Sequence, residues 1–282
     1  VLAVVIPQII LWFFDALLIQ QHMVWFHGPF PLKTFFWVRG AIYILLMINP
    51  SLGGGGILLY LKRKTQITWT KLWGLVLFRF GLGMWGMCLV LIPATLAMHH
   101  YGLAEKARIN MGIWWGLLIF GFAWMVEAWI FWHHKRRFGL SKLVAPNPES
   151  EFWTAFRLAT RRRWFLTWAM IVPPFLLWLV GWYLLALAFE VRIPFFEYMV
   201  ISPLVMLIID LPIAFGGFGT ATLAWVTFFG DYGSAENIAA LTLFLPFARS
   251  ICRALIGLVS LKPALQDINS LTLAPGAENE QP

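Results

Sequence analysis

The stretch Asn49-Pro50-Ser51-Leu52-Gly53-Gly54-Gly55-Gly56 interrupts an otherwise apolar segment that runs from 34 to 60. A proline and four glycines are poor material for the middle of a helix. Backbone that leaves the helix at membrane depth strands its N–H and C=O groups. It is tolerated only where protein or a water-filled cavity satisfies them. A second stretch has the same character: Leu211-Pro212-Ile213-Ala214-Phe215-Gly216-Gly217-Phe218-Gly219, inside the apolar run 195–230. Each is a proline, a short spacer and a glycine cluster. Paired interruptions of this kind read as an internal repeat and point to a transport site.

The rest of the chain supplies the membrane. Its 282 residues are 60% hydrophobic and only 12% charged, with a mean hydropathy of +0.76. A soluble domain carries about 25% charged residues. This composition excludes a water-soluble fold, a disordered tail, a disulfide scaffold and a nucleic-acid-binding module. The 17 Trp and 25 Phe suit a protein whose solvent is lipid. The expected fold is an all-α polytopic membrane protein with about seven hydrophobic segments, near 1–21, 34–60, 71–98, 111–132, 164–188, 195–230 and 236–260. Two of them are broken or re-entrant. Residues 1–262 form a single transmembrane domain, and 263–282, with Pro275 and Gly276, read as a flexible tail. No signal-peptide cleavage pattern is visible, and a chain starting at Val1 is expected to lack its original start or to be processed.

Twenty-one basic residues against 13 acidic ones give a net charge of +8. The basic residues flank hydrophobic segments, which is the positive-inside pattern. Lys62, Arg63, Lys64 and Lys71 lie in loop 61–72. Lys135, Arg136, Arg137, Lys142, Arg157 and Arg161 to Arg163 lie in loop 133–163, and Lys262 follows the last segment. The opposite loops hold only Lys33, Lys106, Arg108 and Arg192. Loops 61–72 and 133–163 and the C-terminus are therefore expected in the cytoplasm of a bacterial inner membrane, with 34–60 crossing once. Within 133–163, Ser150 caps a candidate helix carrying Phe152, Trp153, Phe156 and Arg157. It reads either as an interfacial helix or as an ordinary loop.

Eight ionisable residues fall within or near the spans: Asp15, Arg39, Arg79, Glu127, Glu197, Asp210, Arg249 and Arg253. A charge at a helix centre costs about 2.5–3.5 kcal/mol on insertion scales, so each needs a partner or water. Arg39 and Asp210 stand next to the two breaks. Asp15 and Glu197 fit an interface, and Arg253 fits either snorkelling to the surface or, as the alternative to Arg249, a cavity shared with Arg39 and Arg79. Arginine forks hold phosphate. The expected substrate-binding set is Arg39, Asn49, Gly54, Arg79, Asp210, Gly216, Gly217 and Arg249, with Asp210 the first candidate for ion coupling. Cys88 and Cys252 read as core residues. The pairs His99-His100 and His133-His134 fit a membrane border better than a metal site. No Walker loop, Gly-x-Ser-x-Gly or His-Glu-x-x-His is present. No catalytic residue, metal or cofactor is expected.

Further residues carry a family likeness. They are Arg39-Gly40 through Tyr43, Asn49-Pro50 with Gly53 to Gly56, Tyr60-Leu61-Lys62-Arg63 and Lys71. They continue with Leu211-Pro212-Ile213, Gly216-Gly217, Gly219, Gly230, Asp231, Gly233, Ala235 to Ala239, and Arg249. On these the chain resembles the membrane domain of bacterial lysylphosphatidylglycerol synthases and the stand-alone proteins sharing that domain. The resemblance implies re-entrant helices around a lipid-accessible cavity, and movement of an aminoacylated phospholipid between leaflets. Stand-alone relatives are linked to other lipids as well, including polyprenyl-linked and hopanoid lipids. The soluble domain that makes the lipid is not among these residues, so the chain is expected not to be a synthase or another enzyme. The first motif departs from the family in its glycine content. The expected function is a lipid flippase or transporter for a phosphate-containing lipid, with membrane phospholipids, and a homodimer or larger membrane complex, as partners. The alternative is an accessory subunit that binds lipid or pigment without moving it.

Overall fold

The computed structural model describes residues 2–48, 50–103, 110–134, 136, 139–209 and 220–272. All regular structure among them is helical: α1 (Leu2–Phe26), α2 (Leu32–Ile48), α3 (Pro50–Thr65), α4 (Trp69–His100), α5 (Met111–His134), α6 (Gly139–Val144), α7 (Thr154–Leu158), α8 (Arg161–Ala188), α9 (Phe195–Ile209), α10 (Thr220–Phe229) and α11 (Ala235–Thr272), with short 3₁₀ turns at Glu151–Trp153 and Gly230–Tyr232. Among the described residues, α1, α4, α5, α8 and α11 are long and apolar enough to cross a membrane. The expectation of about seven spanning segments therefore resolves into five long helices and two pairs of short ones.

The segment 34–60 does not cross once. It folds back on itself. α2 has 17 residues and α3 has 16, about 25 Å each at 1.5 Å per residue, short of a hydrocarbon core of about 30 Å. Pro50 takes the first position of α3, where its missing N–H costs nothing, and it disfavours helix just before it. The two helices run antiparallel, with the Phe35 and Tyr60 rings 6.2 Å apart. Two of the glycines make this packing. A Cβ on Gly53 would sit 2.3 Å from the Leu46 side chain, and one on Gly56 would sit 2.9 Å from Leu45 Cδ1.

One consequence corrects the expected topology. The loop 27–31 and residues 64–67 wall one cavity of about 260 Å³. Lys33, at the start of α2, therefore belongs to the same end as Lys62 to Lys64, not to the opposite side. The α11 helix also reaches this end, since Lys64 Nζ and Tyr60 Oη both meet Asp267, each at 2.7 Å. Residues 263–272, expected as tail, are helical because this contact anchors them. Residues 273–282 lie outside the described set.

The other broken segment also folds back. Tyr198 of α9 stacks on Phe229 of α10 at 5.7 Å and meets Trp225 at 6.1 Å. Asp210 and the motif from Leu211 to Gly219 lie outside the described residues.

The chain divides into two compact units. Unit I comprises 9–79, 147–159 and 250–282, and unit II comprises 1–8, 80–146 and 160–249. Each holds one helical hairpin: α2/α3 in unit I, α9/α10 in unit II. In sequence each hairpin lies between long helices, α1 and α4 for the first, α8 and α11 for the second.

Unit I is packed around Phe35, Leu61, Leu72 and Phe78, all fully buried. Trp12 stacks on Phe36 at 3.9 Å and donates its indole N–H to the Phe36 carbonyl at 3.1 Å. Gly40 lets α2 approach α11: a Cβ there would lie 2.1 Å from Ser260 Oγ and 2.8 Å from Trp12. Gly74 of α4 lies under the 3₁₀ turn, where a Cβ would fall 1.7 Å from the Phe152 carbonyl oxygen. Trp153 and Phe156 are buried, and the Phe156 ring meets Phe78 at 5.1 Å. The aromatic side chains proposed for a membrane surface thus face the core of the unit. Thr68 and Lys71 bind the Glu151 carboxylate at 2.8 and 3.0 Å, which holds it below the usual glutamate range.

Unit II is built on tryptophan. Trp164 is fully buried, stacked on Trp85 at 5.3 Å and meeting Trp129 edge-on at 5.3 Å. Trp114 donates to Thr95 Oγ1 at 2.6 Å. Thr160 caps α8, accepting from the Arg163 N–H. Glu127, a candidate charge at membrane depth, accepts from the Ser141 N–H at 2.7 Å and so holds the start of α6. Cys88 and Cys252 are free thiols.

Candidate functional site

Three of the depth charges in unit I meet. Asp15 lies near the middle of α1, Arg39 near the middle of α2, and Arg79 eleven residues into α4. One carboxylate serves both arginines. Asp15 Oδ2 accepts from Arg39 Nε and Nη2, and Asp15 Oδ1 accepts from Arg79 Nη2. This shared use satisfies both lone-pair sites of Asp15 and prevents the two guanidiniums from repelling one another apart. It is the compensation that a charge in a helix centre requires.

The compensation is incomplete. Arg39 is only 7% exposed, and its Nη1 is buried with no hydrogen-bond partner. A third cation stands close by. Tyr43 lies one turn beyond Arg39 on α2, with its ring centroid 4.8 Å from the Arg39 guanidinium and 5.6 Å from that of Arg253 on α11. Arg253 also acts electrostatically on Asp15. The guanidiniums of Arg39, Arg79 and Arg253 thus gather around Asp15 and Tyr43 among apolar helices. Tyr43 offers its π face to two of them. Such a cluster can bind an anion with forked donors, and phosphate fits that geometry best.

The structure brings Arg39 and Arg79 onto one carboxylate, that of Asp15, which was assigned to an interface, and puts Arg253, weighed between this cavity and the surface, beside Tyr43. Asp15 was detectable: it is the sole acidic residue in the 25 residues of α1. Its distance from Arg39 and Arg79 in sequence hid the pairing. Gly54 lies near the turn of the hairpin, exposed, with nothing within 4 Å of a built Cβ. Arg249 belongs to unit II, with its guanidinium 5.1 Å from the Trp178 ring. Asn49, Asp210, Gly216 and Gly217 lie outside the described residues.

Family models, curated proteins and solved structures give no match to this chain.

The site is therefore argued on chemistry alone. Its donors are nitrogen atoms of arginine, which bind oxyanions and do not ligate metals. Among the described residues no group of three His, Cys, Asp or Glu side chains is placed to hold a metal ion. An anion reaching this cluster would find hydrogen-bond donors.

Proposed function

We propose that the protein is a lipid transporter of the flippase type that moves a phosphate-bearing lipid between the leaflets of a bacterial inner membrane. The observation that carries this reading is the Asp15–Arg39–Arg79 cluster, with Arg253 beside it and Arg39 Nη1 unpartnered. A guanidinium at membrane depth is expensive, and a buried donor without a partner, as Arg39 Nη1 is, is useful where an anion is to be received. The two Pro-Gly hairpins and the resemblance to the lysylphosphatidylglycerol synthase membrane domain support the same reading. Aminoacylated and polyprenyl-linked phospholipids are the candidate cargoes.

The basic end of unit I faces the cytoplasm in this reading. Lys33, Lys62, Arg63, Lys64 and Lys71 gather there, and α11 reaches the same end through Asp267, which supports a cytoplasmic C-terminus. Movement is facilitated or coupled to an ion or to the membrane potential, and Asp210 is the first candidate for ion coupling.

Lipid identification tests the site. The protein is purified in mild detergent as wild type and as Arg39→Ala, and bound lipids are extracted for mass spectrometry. The expected result is one anionic or aminoacylated phospholipid enriched over the membrane average and lost from the variant. Bulk lipid composition in both samples contradicts the assignment. Fixed stoichiometric protein partners in the same preparation would favour the accessory-subunit reading.

A further inference from the structure

We infer that unit I carries a second lipid site, distinct from the arginine cluster: a groove that holds one acyl chain of an anionic phospholipid, with Arg63 at its head-group end. The inference rests on the lipid-handling reading for the class of its occupant, and on nothing in the Asp15–Arg39–Arg79 cluster.

The groove has a volume of about 670 Å³ and is walled by α2, α3 and α11. That lies within the range of roughly 300–1,000 Å³ typical of small-molecule sites. Its shape has a cause in sequence. Each of the three helices contributes a small residue to the wall: Ala41 from α2, Gly56 from α3 and Ala264 from α11. Missing side chains on three adjoining helices leave a trough where larger residues would interdigitate. From Gly56 to Gln66 the trough runs about 15 Å at the helical rise of 1.5 Å per residue.

Its chemistry is graded from end to end. Along α2, and at Gly56 and Leu59 on α3, the wall is entirely apolar. The polar lining residues are Tyr60, Arg63 and Gln66, all toward the C-terminal end of α3. That end is the basic one: Lys62, Arg63 and Lys64 form the last turn of α3. Lys64 and Tyr60 are held by Asp267, and this clasp ties α3 to α11 across the polar end. Arg63 is exposed at the rim. An apolar trough that opens at one end on an unshared arginine matches an amphiphile with a hydrocarbon tail and an anionic head. A neutral head would leave Arg63 without a partner, and a soluble apolar ligand would have no use for it.

The test uses the full chain in phosphatidylcholine vesicles containing a phosphatidylglycerol with a photoactivatable group in mid-chain. Labelled residues are mapped by mass spectrometry. The expected result is labelling at Leu59 and Leu261 about fivefold above exposed positions elsewhere such as Phe120 and Phe165, a factor corresponding to about 1 kcal/mol of preference. A phosphatidylcholine probe with the same chain should label the groove less. Ala41→Phe and Ala264→Leu should each bring groove labelling down to the level of the other positions. Arg63→Gln, at an exposed position that does not threaten folding, should remove the preference for phosphatidylglycerol. Uniform labelling over all lipid-facing helices, or labelling unchanged in the filled variants, overturns the inference. If the filled variants fail to accumulate, the Arg63→Gln comparison decides it alone: an intact head-group preference overturns the groove. Lipid movement measured in the same vesicles separates the two readings. Transport without groove labelling removes the groove and leaves the transporter. Groove labelling without transport supports the groove and contradicts the transporter.

Discussion

Asp15 holds two arginines with one carboxylate, and its removal exposes what that contact contributes. Asp15→Asn keeps the shape and deletes the charge, leaving Arg39 and Arg79 facing each other at membrane depth. Breaking a buried pair by removing one partner costs about 3–5 kcal/mol. The variant should lose thermal stability in detergent by a corresponding margin, and Asp15→Asn combined with Arg39→Gln should recover part of the loss. Equal stability of wild type and Asp15→Asn would show that the pair carries no structural weight. His27 gives a second residue-level test, outside the spans. Its Nε2 is buried without a partner, and burial, with Lys71 nearby, pushes its pKa down from 6.5 to about 4. The folded chain therefore keeps His27 neutral where the unfolded chain protonates it. Stability from this source is present above pH 6.5 and declines as pH falls toward 4. His27→Gln should flatten that decline relative to wild type in melting temperatures taken from pH 7 to pH 5. Parallel profiles for the two proteins would contradict the assignment.

The helices are separated by glycine contacts more than by helix propensity. Gly74 faces a backbone carbonyl that has no side chain to rotate away. Gly74→Ala should destabilise by about 1–3 kcal/mol through overpacking, read as a fall in melting temperature. Gly53 and Gly54 are neighbours with opposite expectations. Gly53→Ala presses on Leu46, whereas Gly54→Ala meets open space and gains about 0.5–1 kcal/mol of helix propensity. A stabilised, inactive Gly54→Ala would keep this residue in the substrate-binding set. A stabilised, fully active one would remove it. No contact explains the glycine at 54 or 55. At this scale the sequence was readable in part. The interruption from Asn49 to Gly56 marked the first hairpin, since the proline start of α3 and its glycine contacts leave a composition signature; the interruption from Leu211 to Gly219 lies outside the described residues. The direction of the chain after each break left none. Whether a broken segment crosses or turns back is set by the length of its two halves and by what they pack against, and neither is local. The inward turn of Trp153 and Phe156 was hidden for the same reason: the Phe78 ring that Phe156 meets is far away in sequence.

At the scale of the whole molecule, composition alone placed the chain in a bilayer, and the long helices follow from that. The positive-inside count put Lys33 apart from Lys62 to Lys64 because it assumed a crossing at 34–60. With the hairpin in place the charge asymmetry becomes stronger. Arg39 was legible as an arginine beside a break and Asp15 as a lone carboxylate in an apolar helix, but their meeting with Arg79 was not, since three helices far apart in sequence build it. The central claim is that this cluster serves lipid movement, and one measurement addresses it directly. The protein is reconstituted into liposomes with a fluorescent phosphatidylglycerol, and a membrane-impermeant quencher reports how much label reaches the outer leaflet over time. The account predicts quenching beyond the outer-leaflet share with wild type, and a rate about tenfold lower for Arg39→Ala and Arg79→Ala at equal protein incorporation, the scale of roughly 1.4 kcal/mol. No movement with wild type, or movement unchanged in both variants, would contradict it.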